Sequence, residues 1–135
     1  MALFGNIVLC DYAYVDRESS KAVLAGVFSG DILLPSLPAR LRVSLYSEFL
    51  PPESGKHRIE IRIFLDKKLF ARAESEVANT ISGTPTIIIL PQIEIGIDRP
   101  LTLRIKASVN GGRETTLVTK RIMVKEKPST LVPPA

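Results

Sequence analysis

Apolar and polar residues alternate with a period of two along much of this chain. Residues 41–49, 59–65 and 101–109 each place aliphatic side chains, such as Leu41 and Ile61, at every second position between mostly polar neighbours. Alternation of this kind puts one face of an extended strand on a core and the other in water, as in antiparallel sheets. The pattern therefore predicts three β-strands.

Three further segments are apolar on both sides of the strand. Residues 7–15, 22–28 and 86–97 carry aliphatic or aromatic side chains at odd and even positions alike. Because such strands are typical of positions covered on both faces, we expect these three to be central or covered. Pro91 interrupts the last segment, and proline cannot donate a ladder hydrogen bond, so we expect a bulge, an edge or a break there.

Shorter runs at 69–77 and 115–124 bring the number of predicted strands to about eight, and no window of the chain shows the spacing of an amphipathic helix. Strands with one apolar face must meet across two layers to bury it. The sequence thus predicts an all-β protein, a single-domain antiparallel β-sandwich of about eight strands with little or no helix. We expect it to occupy residues 1–124, with 125–135 as a flexible, proline-rich C-terminal tail.

Turn signals fall between the predicted strands and indicate where hairpins form. Asn110-Gly111 is a favoured pair for a type I′ turn, because both central positions of that turn need positive φ. The alternation on either side of the pair then predicts a hairpin.

A second hairpin is predictable in more detail. A three-residue loop at 66–68 places Ile63 opposite Ala71 on the core side. The same loop places Phe64 opposite Phe70 on the outer side, an aromatic pair worth about 0.2 to 1 kcal/mol. This register also opposes like charges, Arg62 to Arg72 and Glu60 to Glu74. The diagonal pairs of opposite charge, Arg62 with Glu74 and Glu60 with Arg72, could offset that repulsion.

Charge and composition narrow the class of protein. The formal net charge is +4, from 18 Lys and Arg against 14 Asp and Glu interleaved along the chain. A nucleic-acid-binding protein more often shows a basic run or stripe, so this pattern favours a solvated surface of mixed charge. An apolar content of 45% excludes intrinsic disorder. With no recognisable secretory signal, no long apolar span and a single cysteine, we expect a cytoplasmic protein.

Residue types that perform catalysis or bind metals are scarce. His57 is the single histidine, and its place between cations before a strand predicts a partly exposed structural residue. Cys10 lies in an apolar strand, where a thiol behaves as a small hydrophobe. One histidine and one cysteine cannot build a usual zinc site, and no calcium loop or phosphate-binding glycine motif is present. The sequence therefore predicts no catalytic residue, cofactor or metal, and a protein that is not an enzyme.

Asp11 breaks the alternation of its strand. It shares a side with Leu9, Ala13 and Val15, so the pattern predicts a buried carboxylate. A buried carboxylate needs a cation or several hydrogen-bond donors, or else its pKa rises. A proton-handling site is one interpretation, but we favour a structural acid that ties this strand to a neighbouring loop.

Seven residues on the predicted outer faces form the candidate interaction surface. Aromatic side chains beside arginines are typical of protein interfaces, and the same mixture can stack single-stranded bases and hold phosphates. Scattered exposed aromatics are also ordinary on small proteins, so three alternatives stay open. The residues are Arg42, Tyr46, Arg58, Arg62, Phe64, Phe70 and Arg72.

Several short motifs carry a resemblance to a known family. The segment 9–13 (Leu-Cys-Asp-Tyr-Ala) is followed by 26–28 (Gly-Val-Phe), and 55–57 (Gly-Lys-His) leads into an alternating strand. Together they resemble a family of small bacterial and phage proteins of unknown function. The chain departs from that family at 99–101 (Arg-Pro-Leu), where members often have a Gly-Tyr pair. The resemblance implies a β-sandwich of bacterial or prophage origin and brings no activity, cofactor or catalytic residue.

The leading hypothesis is a non-enzymatic binding or assembly module that acts through its sheet surface or edge strands. A protein partner could add a strand to an exposed edge, or the chain could self-associate through the apolar segment 87–90. The alternative is an accessory protein that binds a polyanion or single-stranded nucleic acid, which predicts steep salt dependence. An enzyme centred on His57 is the third and least supported class, and no membrane partner is expected.

Overall fold

The computed structural model describes residues 4–50, 55–79 and 84–125, and these ranges contain nine β-strands and no helix. The strands pack as two sheets, which confirms the predicted all-β sandwich. In chain order they are β1 (Phe4–Val15), β2 (Ala22–Val27), β3 (Ile32–Leu34), β4 (Ala39–Leu50), β5 (Gly55–Leu65), β6 (Lys68–Asn79), β7 (Thr86–Ile97), β8 (Leu101–Val109) and β9 (Thr115–Val124).

The first sheet has the strand order β2-β1-β4-β7, and the second has the order β3-β9-β8-β5-β6. All neighbours are antiparallel except β3 and β9, which run parallel. β3 is the strand that the sequence did not predict. Ile32 and Leu34 are buried while Leu33 is exposed, but three residues are too few to show alternation above the background of a loop.

Two strands that were predicted to be central or covered are edge strands. β2 and β7 bound the first sheet, and of the three doubly apolar segments only β1 has neighbours on both sides. Val27 and Ile87 accordingly keep 51% and 45% of their surface exposed. The prediction was wrong because apolar residues on both sides of a strand do not require that both faces are covered, as Val27 and Ile87 show, and because the pattern says nothing of lateral neighbours.

The core lies between the sheets and consists mainly of branched aliphatic side chains. The alternating positions of β4, β5 and β8 point into it as predicted, so that Leu41, Ile61 and Ile105 are all buried. Phe49 is the one aromatic ring among the fully buried side chains of the described residues. Burial of one such side chain contributes about 1.5–3 kcal/mol, and the two facing stripes therefore dominate the stability of the fold.

The β5–β6 hairpin keeps the predicted register in its body and departs from it at the loop. The core-side register is confirmed up to the pair of Ile63 and Ala71. The predicted three-residue loop is wrong, because the turn has two residues and Phe64 lies opposite Leu69 instead of Phe70. A β-bulge at this point absorbs the additional residue, so the core-facing sides of both strands stay aligned.

The turn between β8 and β9 has the predicted backbone geometry. Asn110 and Gly111 both adopt positive φ, at 51° and 69°. The amide of Gly112 donates to the carbonyl oxygen of Val109 at 2.9 Å, which closes the turn. The type I′ pair therefore sets the start of this hairpin, as expected from residues that tolerate left-handed backbone.

A bulge in β7 confirms the irregularity that was predicted at Pro91. The register between β4 and β7 shifts here, and Gln92 adopts a positive φ of 50°. The Ser44 hydroxyl accepts a hydrogen bond from the Gln92 amide at 3.0 Å and donates to the carbonyl oxygen of Asp11 at 3.2 Å. Ser44 is only 1% exposed, so one buried hydroxyl links the three strands β1, β4 and β7.

Within the described ranges, no helix has the length and apolar character needed to cross a membrane. The predicted tail starts at residue 125. Lys125 donates its amide to the carbonyl oxygen of Leu34 at 2.7 Å, and the remaining tail residues, 126–135, lie outside the described residues.

Two serines of β4 provide a matched test of the bulge. Ser44 is fully hydrogen-bonded, whereas Ser47 is equally buried and its hydroxyl has no hydrogen-bond partner in the described part of the chain. We expect Ser44→Ala to lower the free energy of unfolding by about 1–3 kcal/mol, because it leaves buried backbone groups unpaired. Ser47→Ala removes an unpaired hydroxyl and should leave stability unchanged or slightly higher. Urea unfolding measures both, and equal losses in the two variants would contradict this account.

Candidate functional site

The structure divides the candidate interaction surface between the two sheets. The outer faces of two packed sheets point away from each other, so these residues cannot form one continuous surface. The first sheet holds Arg42 and Tyr46 on β4, and the second holds Arg58, Arg62 and Phe64 on β5 with Phe70 and Arg72 on β6.

In the second sheet, glutamates neutralise part of the basic character. Arg62 forms ion pairs with Glu60 on its own strand and with Glu114 at 3.4 Å. Arg58 Nε lies 4.0 Å from Glu74 Oε1. These contacts replace the predicted diagonal pair between Arg62 and Glu74. The outer face of this sheet is therefore of mixed charge rather than basic.

The second predicted diagonal, between Glu60 and Arg72, acts through charge alone. Desolvation would raise the pKa of Glu60, but the hydrogen bond and charge of Arg62, followed by a hydrogen bond with the Glu74 side chain and the charge of Arg72, hold it below its usual value. Arg72 itself is exposed and forms no ion pair with any described residue. Its guanidinium is therefore available to an external carboxylate.

Asp11 is exposed, so the prediction of a buried carboxylate is wrong. β1 pairs with β4 only as far as Cys10 and beyond it pairs with β2 alone. On the predicted core side Ala13 is still buried, but Asp11 and Val15 are exposed. The carboxylate lies over Gly26, which has a φ of +69° and where an added Cβ would collide with it. The exposed position removes the burial on which both interpretations of Asp11 rested.

His57 is buried at 8% exposure, in contrast to the predicted partly exposed position. Asn110 Oδ1 accepts the amide of Arg58 at 2.8 Å, and Asn110 Nδ2 lies 3.1 Å from Nδ1 of His57. Because the Arg58 amide orients the carboxamide, Nδ2 donates to the imidazole. The described contact of His57 therefore supports the β8–β9 turn.

Cys10 behaves as the sequence suggested. The side chain is fully buried, with Sγ 3.6 Å from the carbonyl oxygen of Ser44. Burial, and to a smaller extent the charge of Asp11, raises the pKa of this thiol, which disfavours the reactive thiolate. Among the described residues, no group of three or more His, Cys, Asp or Glu side chains lies close enough to bind a metal ion.

The side of the sandwich where β6 and β7 end the two sheets is open. A groove of about 240 Å³ lies between these edge strands. The residues of β6 that face this groove from the inner side of the sheet are small, so their side chains do not fill the space between β6 and β7. We call β6, β7 and this groove the β6–β7 edge. Its groove is lined by Ile61, Ile63, Ala71, Arg72, Ala73, Leu90, Pro91 and Ile93.

β7 presents an unprotected apolar segment at this edge. Residues 86–90 contain no charge, proline or glycine, and Ile87 is 45% exposed on the outer face. Natural edge strands are usually protected by charges, prolines or bulges, and in β7 the proline and the bulge follow this segment instead of interrupting it. Residues 86–90 therefore offer another strand a row of backbone groups with which no strand in the described part of the chain pairs.

The opposite side of the sandwich is bridged. A pocket of about 330 Å³ opens between β1, β2 and β9. Lys120 Nζ crosses this opening and donates to the carbonyl oxygen of Phe28 at 2.9 Å. The two sides of the molecule thus differ in that a lysine–carbonyl hydrogen bond joins the strands around the second pocket.

The sequence analysis missed two exposed aromatic residues of the first sheet. Tyr12 and Tyr14 are 53% and 54% exposed on β1, which had been interpreted as apolar on both sides. Their hydroxyls were the available signal, because tyrosine combines an apolar ring with a group that prefers water. Beside them, Val8, Tyr46 and Ile89 form a row across β1, β4 and β7.

No protein-family profile matches this chain, and no curated protein is significantly similar to it. The resemblance to small bacterial and phage proteins therefore stays a prediction.

Two aspartates anchor loops of the second sheet. Asp66 accepts hydrogen bonds from the Thr102 amide and from Arg99, each at 2.9 Å. Asp31 binds the amide and the guanidinium of Arg121 at 2.9–3.1 Å. In both cases the backbone hydrogen bond is the largest cause that lowers the pKa of the carboxyl, followed by the arginine side chain.

These lowered pKa values predict a loss of stability in acid. A carboxyl with a lowered pKa in the folded state stabilises the fold above its ordinary value of 3.8 and loses that contribution as the pH falls through the folded value. We expect Asp66→Asn, which keeps a residue that tolerates positive φ, to flatten the decline of the free energy of unfolding below about pH 4. Urea titrations across this range measure it. Asp98→Asn, at an exposed site without an ion pair in the described ranges, should leave the decline unchanged. The same acid profile in Asp66→Asn and the unmodified protein would refute the assignment.

Proposed function

We propose that this protein is a non-enzymatic binding or assembly module whose β6–β7 edge accepts an extended strand from a protein partner. The observation that carries the proposal is the unprotected apolar segment 86–90 at the free edge of β7, next to an open apolar groove. A strand added there would pair with the free amides and carbonyls of β7. Every second side chain of that strand could enter the groove.

The groove gives such binding a source of affinity besides backbone hydrogen bonds. Leu90 and Ile93 of β7 face Ala71 and Ala73 of β6 across it, and all four are half-buried. Side chains entering from a partner would remove the rest of this apolar surface from water, at about 25 cal/mol per Å². Specificity would come from which side chains fit beside the two alanines.

Binding of a polyanion or of single-stranded nucleic acid has less support. The basic candidates on the second sheet lie among glutamates, and Arg62 already pairs with Glu60 and Glu114. Arg42 and Tyr46 lie on the other sheet and cannot contribute to the same strand of nucleic acid. Charge of mixed sign favours a protein surface over a phosphate backbone.

Site-specific photo-crosslinking tests the proposal. A photoreactive phenylalanine analogue replaces Ile87 at the β6–β7 edge or, as a matched control, Leu33 on β3. Both positions are exposed and aliphatic, but β3 lies at the far edge of the other sheet. Irradiation of host cells should give a discrete protein adduct from position 87 and none from position 33. An adduct with a second copy or with a different protein supports strand docking; absence of any adduct, or equal labelling from both positions, would end the proposal.

A further inference from the structure

We infer that the occupant of the β6–β7 edge is a second copy of this chain, docked edge to edge through antiparallel pairing of β6 with itself. The inference rests on the proposed function of the β6–β7 edge and makes it more specific: the partner is a second copy, and the strand that pairs is β6 instead of β7. What points to it is the order of charges on the exposed face of β6, where Arg72 is followed by Glu74 and Glu76.

Antiparallel geometry restricts how β6 can pair with its own copy. Directly opposed residues lie on the same face of a sheet, so a two-fold pairing must centre on one residue. When the centre is Ala73, Arg72 lies opposite the partner's Glu74, and symmetry repeats this contact. Each pair of opposite charges on one face contributes about 0.2–1 kcal/mol.

Most neighbouring registers oppose like charges. A centre at Arg72 opposes that guanidinium to its own copy. A centre at Glu74 opposes that carboxylate to its own copy, although it also joins Arg72 to the partner's Glu76, twice. A centre at Ser75 opposes Glu74 to the partner's Glu76, twice. Of the registers centred on residues 72 to 75, only the one centred on Ala73 opposes unlike charges without opposing like charges; a centre at Ala71 also avoids like charges, because it joins Lys68 to the partner's Glu74, and the crosslinking test below separates these two registers. The charged residues of β6 thus disfavour pairing with most other strands but permit pairing with β6 of a second copy.

The two charged groups are available for this contact. Arg72 forms no ion pair within the described part of the chain. Glu74 Oε1 lies 4.0 Å from Arg58 Nε, and its side chain also shares a hydrogen bond with Glu60, but it stays 40% exposed. On the inner face Ala73 would lie opposite the partner's Ala73, and Ala71 opposite the partner's Ser75. Because these side chains are small, the two β6 strands can approach each other to about 4.7–4.9 Å, the usual spacing of paired strands.

Docking by β6 also accounts for the unprotected strand beside it. β6 and β7 flank the same groove, so two copies joined at β6 bring their β7 strands to the same side of the assembly. The groove and the free backbone edge of residues 86–90 would then be partly covered, while Ile87 on the outer face would stay exposed. The charges of β6 select the register of the dimer, and β7 with the groove supplies the apolar surface that is buried between the copies.

Charge reversal tests the register. Size-exclusion chromatography with light scattering should give a dimer for the unmodified protein at high micromolar concentration. Arg72→Glu and Glu74→Arg, each alone, oppose like charges twice and should weaken dimerisation at least about tenfold, the equivalent of 1.4 kcal/mol. A mixture of the two variants should restore a heterodimer, because every contact between positions 72 and 74 again joins unlike charges. Glu76→Arg is the matched control, since in this register residue 76 faces the partner's Phe70, and it should dimerise normally.

Cysteine crosslinking tests the symmetry centre independently. Ala73→Cys should form a disulfide-linked dimer on mild oxidation, because only residue 73 faces its own copy across the axis. Ser75→Cys, two residues along the same face, should stay monomeric on a non-reducing gel. The native Cys10 is fully buried and does not compete for oxidation.

The outcomes separate this inference from the proposed function. A strict monomer, charge-reversed variants that do not recover on mixing, or a Ser75→Cys protein that crosslinks as readily as Ala73→Cys would each overturn self-pairing through β6. If the Ile87 site still gave an adduct with a different protein, strand docking would stand and only the partner would be wrong. If it gave no adduct, both would fall.

Discussion

Burial of two facing stripes of aliphatic side chains is the interaction on which the rest of this structure depends. The stripes come from alternate positions of β1, β4 and β7 in one sheet and of β5, β8 and β9 in the other. Because the sheets are open and do not close into a barrel, the same packing leaves four edge strands. Three of these are short, irregular or charged, and β7 alone combines a length of 12 residues with an apolar, uncharged first half. The asymmetry of the molecule follows from that difference.

Two β-bulges determine the course of the edge strands β6 and β7. The bulge beside Ser44 bends β7 after its apolar segment, and one hydroxyl satisfies the backbone groups that the bulge would otherwise leave unpaired. The bulge in the β5–β6 hairpin acts on the other edge, where it lets a two-residue turn coexist with aligned core faces. Both bulges lie in strand pairs that border the groove. Sheet irregularity therefore shapes the candidate site as much as side-chain identity does.

The faces of the strands could be predicted from the sequence, and the neighbours of the strands could not. Alternation placed Ile61 and Ile105 in the core, and Asn110-Gly111 marked its turn, because these signals depend on one or two adjacent residues. The order of the strands depends on packing between segments far apart in the chain. For that reason β2 and β7 were expected to be covered, and the candidate surface was assembled from residues of two different sheets. Asp11 was misplaced for a related reason, since its strand loses one neighbour just before it.

The contact between Asn110 and His57 has a consequence for the histidine itself. The carboxamide cannot rotate without giving up the Arg58 amide, so it offers its NH₂ group to Nδ1 of the ring. Nδ1 must then be the lone-pair nitrogen and Nε2 the one that bears hydrogen. The tautomer of the single histidine therefore depends on Asn110, 53 residues further along the chain, and a substitution at that turn would change which ring nitrogen carries the hydrogen.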